Sequence, residues 1–343
     1  VLKETGNTNP LLESLAARKV EYFVFDEISS DSDSETIKRA LALAKEAHIH
    51  GIIGVGGASA LNIAKAISAV YNEVHDLYDF LDGAYPSSGA LPMIAIPSTI
   101  RNMFLFMDSV PVIDARNRQI KLLKIQSGLC KLALFDPNLN VSLTQNQKAS
   151  IAIDSLCLAT ESYLSQKASF FSDMLAEKAL QVLNYAMDGS KTLNVSTTPE
   201  MFLAQGGCMS SLAVASSSIG PASLIGLSVY SRCNVSHSLV SSILLPYVIE
   251  DVAKFKIDRI EKIAKIMNLQ IEDKTPQEIA NVFADDIRRK IALANLPTRL
   301  KDLSLSMEQL SLAAEDAGQL DLINGMPRSM TADDLFELIK LAY

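Results

Sequence analysis

His50–Lys65 reads HGIIGVGGASALNIAK. Its first half is a short β-branched run, the signature of a buried strand. Its second half carries Ala, Leu and Ile at helical spacing. Between them lies a glycine-rich turn. A strand that ends in glycines and feeds a helix lets backbone N–H groups approach a phosphate, and the helix N-terminus adds the positive end of its dipole. Ser59 is expected to cap this helix and to donate to a phosphate oxygen. Taken alone, the pattern reads equally well as a tight turn that uses glycine for its positive φ, because it lacks the GxGxxG spacing.

Working outward, Lys19–Asp26 (KVEYFVFD), Met93–Ile96 between Pro92 and Pro97, Val110–Ile113 and Leu132–Phe135 also read as strands. Asp31–His48 reads as a helix opened by the capping and acidic residues DSDSE, with Ile37, Ala40, Leu41, Ala44 and Ala47 on one face. Strands alternating with helices at this spacing predict βαβ units and a mostly parallel, Rossmann-like sheet. Beyond about residue 142 the pattern changes. Gln145–Gln166, Phe171–Asp188, Met201–Ser217, Ser238–Lys254, Arg259–Met267, Pro276–Ala294 and Thr331–Tyr343 all read as helices. The expected organisation is an α/β nucleotide-binding domain at 1–142 followed by an all-helical domain at 143–343.

Composition narrows the function. The 343 residues carry 31 Lys and Arg against 39 Asp and Glu, a net charge of −8, and 48% are hydrophobic. Disorder is excluded by that apolar content, and an acidic chain is a poor candidate for nucleic acid. The four cysteines, no two closer than the 25 residues from 208 to 233, form neither a disulfide scaffold nor a CxxC zinc site. Met201–Ser231 lacks charge, but its Ser, Gly and Pro221 suit buried helices better than a membrane span. No secretory leader is visible, so the cytoplasm is the expected location and no membrane partner is expected.

The turn at Gly56-Gly57-Ala58-Ser59, with Asn62 and Lys65, resembles the GGGSxxDxAK cofactor turn of the iron-containing alcohol dehydrogenases, in the dehydroquinate synthase-like superfamily. Further similarities follow in the family's order. They are Asp76–Gly83, Pro97-Ser98-Thr99, Asp136-Pro137, Asp154–Tyr163 (DSLCLATESY), Ser236-His237-Ser238 with Ser242–Val248, and Pro327–Tyr343. The resemblance spans the chain. It implies an α/β domain joined to a helical one, a homodimer, and oxidation or reduction of small alcohols or aldehydes with NAD or NADP. It also implies that Gly56, Gly57, Ala58, Ser59, Asn62, Ser98, Thr99 and Lys121 hold the dinucleotide. In the family a strand precedes the segment matching Val1-Leu2-Lys3, so the first strand is expected to be missing from this sequence. The residue that would choose between NAD and NADP lies on that strand.

The same resemblance exposes departures. It implies a divalent iron or zinc on one Asp and three His, acting as a Lewis acid on the substrate oxygen. Asp154 and His237 match two ligands, whereas the other two positions hold Leu158 and Ser223, and the proton-relay histidine falls at Leu227. Leu cannot ligate and Ser is a poor neutral ligand. His48, His50 and His75 are too far away in sequence to substitute, so the metal site is expected to be incomplete; Cys157 or Glu161 would be the substitutes in any replacement set. After Thr99 the family's small-residue loop is replaced by Ile100-Arg101-Asn102-Met103-Phe104-Leu105. Arg101 reads either as an anion-binding side chain or as a solvated surface residue. Two functions follow. One is a dehydrogenase in which Arg101 or His237 takes over stabilisation of the alkoxide. The other is an inactive or repurposed relative that binds a nucleotide or anionic metabolite in the cleft between the domains.

Overall fold

The structure, a computed structural model, describes residues 6–28, 33–136, 138–139, 143–188 and 197–343. Asp31, Ser32 and Pro137, and the segment Val1-Leu2-Lys3 used above, lie outside the described residues. In chain order the elements are α1 (Asn9–Ala17), α2 (Ser34–Glu46), β1 (Ile52–Gly56), α3 (Ala58–Val70), α4 (Leu77–Leu81), β2 (Met93–Pro97), β3 (Ser109–Asp114), β4 (Gln119–Lys124) and β5 (Cys130–Ala133). Helices follow from there: α5 (Gln145–Leu164), α6 (Phe170–Asp188), α7 (Pro199–Ala215), α8 (Pro221–Cys233), α9 (His237–Ile266), α10 (Pro276–Leu293), α11 (Met307–Gln319) and α12 (Ala332–Ala342). An N-terminal α/β region with a parallel sheet precedes a mostly helical C-terminal part, as the periodicities predict.

The parallel sheet runs β1-β2-β5, with Ile52 opposite Met93 and Gly56 opposite Pro97. β3 and β4 form a separate antiparallel hairpin in which Val112 faces Lys121. Periodicity missed β4, whose QIKLLK pattern alternates only weakly, and it missed α11 as well. It also overstated one strand. Val20–Phe25 joins no ladder among the described residues, and Val20, Tyr22, Phe23 and Val24 are exposed. β-propensity marks a chain that fits a sheet; it cannot supply the neighbour that makes one.

Two apolar clusters fill the molecule. One joins α2, α3 and α4 to the sheet and the hairpin through Ile37, Leu61, Ile63, Phe80, Met93 and Val112. The other fills the helical part, and Met103, Phe104 and Ile120 of the first region pack into it. Polar bridges reinforce that contact: Gln119 donates to Asp316 at 2.8 Å, and Arg232 pairs with the same carboxylate. The uncharged stretch at 201–231 forms α7 and α8, both largely buried. No helix among the described residues is long and apolar enough to cross a membrane. Ser238–Lys254 and Arg259–Met267 join as α9 with a break at Lys256 (φ −132°, ψ 40°).

Candidate active site

A cleft of about 1500 Å³ runs from the glycine turn to the start of α9. At one end β1 stops at Gly56, whose φ is +143°; an added Cβ would lie 2.8 Å from that of Ala60. Backbone and space both call for glycine there. The helix begins at Ala58, earlier than the sequence suggested, so Gly57 is its N-cap and Ser59 sits inside the first turn. Ser59 therefore does not cap the helix. Gly57 has no side chain to accept the first N–H groups of α3, which leaves that turn without a side-chain cap. The Ser98 amide donates to the Gly56 carbonyl at 2.8 Å, which seats the Ser98-Thr99 segment beside the turn. Gly56, Gly57, Ala58, Ser59, Asn62, Ser98 and Thr99 all line the cleft. Lys121 does not: alternation along β4 sends it away from the face that carries Ile120 into the lining.

Lys65 has a different task. It is buried in α3, and its ammonium donates to the carbonyls of Phe104, Met107 and Ser109, which anchors the outgoing limb of the loop that carries Arg101. Burial lowers its pKa to about 8.

At the other end of the cleft, α5 supplies Asp154, α9 supplies His237 and Ser241, and the loop after β2 supplies Arg101. Arg101 is no surface residue; its side chain is 12% exposed. Its Nε lies 2.7 Å from Asp154 Oδ2, a charge contact whose N–H is not aligned as a hydrogen bond. Its Nη2 lies 2.7 Å from His237 Nδ1 and 2.9 Å from Nε2. The Ser241 hydroxyl donates to Asp154 Oδ1 at 2.6 Å, and His237 Nε2 faces the Ser223 carbonyl at 3.0 Å. Nδ1 also lies 3.3 Å from Asp154 Oδ2, but the shorter contacts place the proton on Nε2, donating to the Ser223 carbonyl, with Nδ1 accepting from Arg101. Burial and then the Arg101 charge lower the His237 pKa, which favours the neutral ring. Burial alone would raise the Asp154 carboxyl; Arg101, then His237 and Ser241, outweigh it and hold it at about 2.

Glycines make this arrangement possible. A Cβ on Gly207 in α7 would stand 2.0 Å from the Ile100 carbonyl, so only glycine lets the Arg101 loop lie against that helix. A Cβ on Gly226 would crowd the His237 ring at 3.0 Å.

Leu158 and Ser223 are buried beside these groups and offer no metal-binding side chain of the expected kind. Cys157 and Glu161 do not replace them. The Cys157 thiol donates to the Ser241 carbonyl at 4.0 Å, and burial raises the thiol well above its usual range. Glu161 faces the N-terminus of α8, accepting from the amides of Gly220 (3.1 Å), Ala222 (2.7 Å) and Ser223 (3.3 Å). Burial still pushes Glu161 up to about 7. Among the described residues, no group of three or more His, Cys, Asp or Glu side chains comes together that could hold a metal ion. The donor set does not fit a divalent cation. His48 and His50 line the cleft near the glycine turn, and His75 lies on the surface beside Asp79.

Sequence reasoning missed Ser241, Lys65 as a loop anchor, and Gly207. Ser241 lies one helical turn after His237, a spacing that marks a shared face. Nothing in the sequence alone reveals the approach at Gly207.

The family description "Iron-containing alcohol dehydrogenase" matches residues 1–137, and "Fe-containing alcohol dehydrogenase family, C-terminal" matches residues 148–343. The chain belongs to the iron-containing alcohol dehydrogenase family. It is 22% identical to the lactaldehyde reductase of Escherichia coli strain K12, covering 100% of this chain and 90% of that protein. It is 22% identical to the NADPH-dependent butanol dehydrogenase of Clostridium saccharobutylicum, covering 100% and 89%. A 1,3-propanediol oxidoreductase structure superposes with a TM-score of 0.90 at 18% identity, covering 98% of this chain and 88% of that one. An alcohol dehydrogenase from Oenococcus oeni gives 0.89 at 18% identity, covering 99% and 89%.

Proposed function

We propose that this chain is an NAD(P)-linked oxidoreductase of small alcohols or aldehydes that works without a divalent metal. One observation carries the proposal: a single cleft joins a helix N-terminus that lacks a side-chain cap to a buried, fixed cation. The first feature suits a diphosphate, through backbone amides and the helix dipole. Gly56 lets the chain approach it closely, Gly57 is the N-cap of the helix, and Ser98 and Thr99 line the same end. When bound, the nicotinamide gives or takes the hydride. Arg101 contributes the positive charge toward which a substrate oxygen would be drawn as it becomes an alkoxide. Both ring nitrogens of His237 already have partners, so we assign it the task of orienting Arg101, with no proton step. The relatives named for lactaldehyde, butanol and 1,3-propanediol support small oxygenated substrates.

A second reading has one observation of its own. Arg101 is already neutralised by Asp154, and Met103 and Phe104 are buried where the family has a small-residue loop. A cleft so filled suits a protein that binds a nucleotide or anionic metabolite without turnover. Titration with NADH and NADPH, followed by cofactor fluorescence, separates the readings from each other and from failure. The chain has no Trp to interfere. Saturable binding, with turnover of lactaldehyde or butanal, supports the first reading. Binding without turnover across such substrates supports the second, and absence of binding at millimolar cofactor removes both.

The division into units 1–142 and 143–343, a homodimer and a cytoplasmic location belong to the same proposal. The two separate apolar clusters support the division, and light scattering on the purified chain tests the dimer.

A further inference from the structure

We infer that the Arg101 guanidinium is the resident cation of this site. It stands where the family's metal ligands converge and excludes a divalent ion. The inference does not rest on nucleotide binding, because its test counts metal and measures stability.

Three observations carry it. First, Arg101 lies between the two retained ligand-type residues, with Nε 2.7 Å from Asp154 Oδ2 and Nη2 2.7 Å from His237 Nδ1. A metal bound to both would have to occupy the space that the guanidinium fills. Second, the replacement is coordinated. Leu158 and Ser223 remove two donors, and what remains of the set is satisfied without a metal by Arg101, Ser241 and the Ser223 carbonyl. Third, the loop is built to deliver Arg101 there. Gly207 admits the Ile100 carbonyl at a distance no side chain allows, the Asn102 side chain donates to the Thr99 carbonyl at 2.6 Å, and Lys65 binds the outgoing limb. The charge logic agrees. A buried carboxylate needs a cation, and a guanidinium, planar and always protonated, supplies one that cannot dissociate from the chain.

The test uses three forms of the full chain: the unaltered protein, Leu158→His/Ser223→His, and Arg101→Ala/Leu158→His/Ser223→His. Each is incubated with zinc, or with ferrous iron anaerobically, then desalted and analysed for metal. The expected result is no stoichiometric metal in the first two and about one ion per chain in the third. One ion per chain in either form that keeps Arg101, lost on His237→Ala, overturns the inference; so does a folded triple variant that takes up none. Should the triple variant fail to fold, Arg101→Ala alone decides. Low-millimolar guanidinium is expected to raise its melting temperature and to leave that of the unaltered protein unraised. Absence of that rescue overturns the inference.

Discussion

The two ends of the cleft have been treated differently by sequence change. The glycine-turn end is made by backbone: the N-terminus of α3, the positive φ of Gly56 and the Ser98 amide. It absorbs Ala58 and Asn62 without losing its shape, because the amides do not depend on which side chains flank them. The far end is made by side chains, where one substitution removes a donor outright. Leu158 and Ser223 carry no donor of the expected kind there, and Arg101 balances the Asp154 charge. Backbone-built sites tolerate drift, whereas side-chain-built sites must be rebuilt as a group.

The sharpest way to break this comparison is Asp154→Asn. If Arg101 and Asp154 are a mutually dependent buried pair, removing one charge strands the other at a cost of about 3–5 kcal/mol. Urea unfolding at neutral pH measures it, and a loss under about 1 kcal/mol would make the pair incidental. The pH dependence has a definite sign. The Asp154 pKa is depressed in the folded protein, from 3.8 to about 2, so its contribution is present above about pH 4 and is lost as pH falls toward 2. In Asp154→Asn that segment of the acid-unfolding curve flattens.

Glu161, two turns further along α5, sharpens the same point, since it is a buried carboxylate with no guanidinium beside it. Its folded pKa is raised from 4.5 to about 7. The folded state therefore binds the extra proton, and stability is highest below about 4.5 and falls as pH rises through 7. The slope is at most about 1.4 kcal/mol per pH unit. Glu161→Gln is expected to remove that slope in unfolding measured across the window.

Smaller effects follow at the glycines. Gly207→Ala forces the loop off α7 and is expected to cost about 1–3 kcal/mol, as overpacking does; thermal unfolding reads it. At the tolerant end, Asn62→Asp is expected to change NADH affinity by only about twofold, the size of a surface substitution at roughly 0.5 kcal/mol. A tenfold change would show that this end also depends on a side chain.

Much of the fold was legible from local pattern. Asp33, in the capping run expected before α2, caps it through the Thr36 amide, and the βαβ periodicity placed β1, α3 and β2. Val20–Phe25 was misjudged because pairing is a property of two chain segments, not one. At the site, Asp154 and His237 were readable as the retained half of a ligand set, and Arg101 as a charge out of place. Their mutual contact was not readable: it spans 136 positions between Arg101 and His237 and depends on Gly207, whose role lies entirely in what it lacks.

Helix α3 has a consequence for how the two ends communicate. Its N-terminus faces the glycine end of the cleft, and about two turns further into the same rod Lys65 grips the loop that holds Arg101. A tilt or slide of that rod, as when an anion settles against its first turn, cannot leave the loop where it was. The helix is therefore a lever, with its load arm on one side of the cleft and its grip on the other.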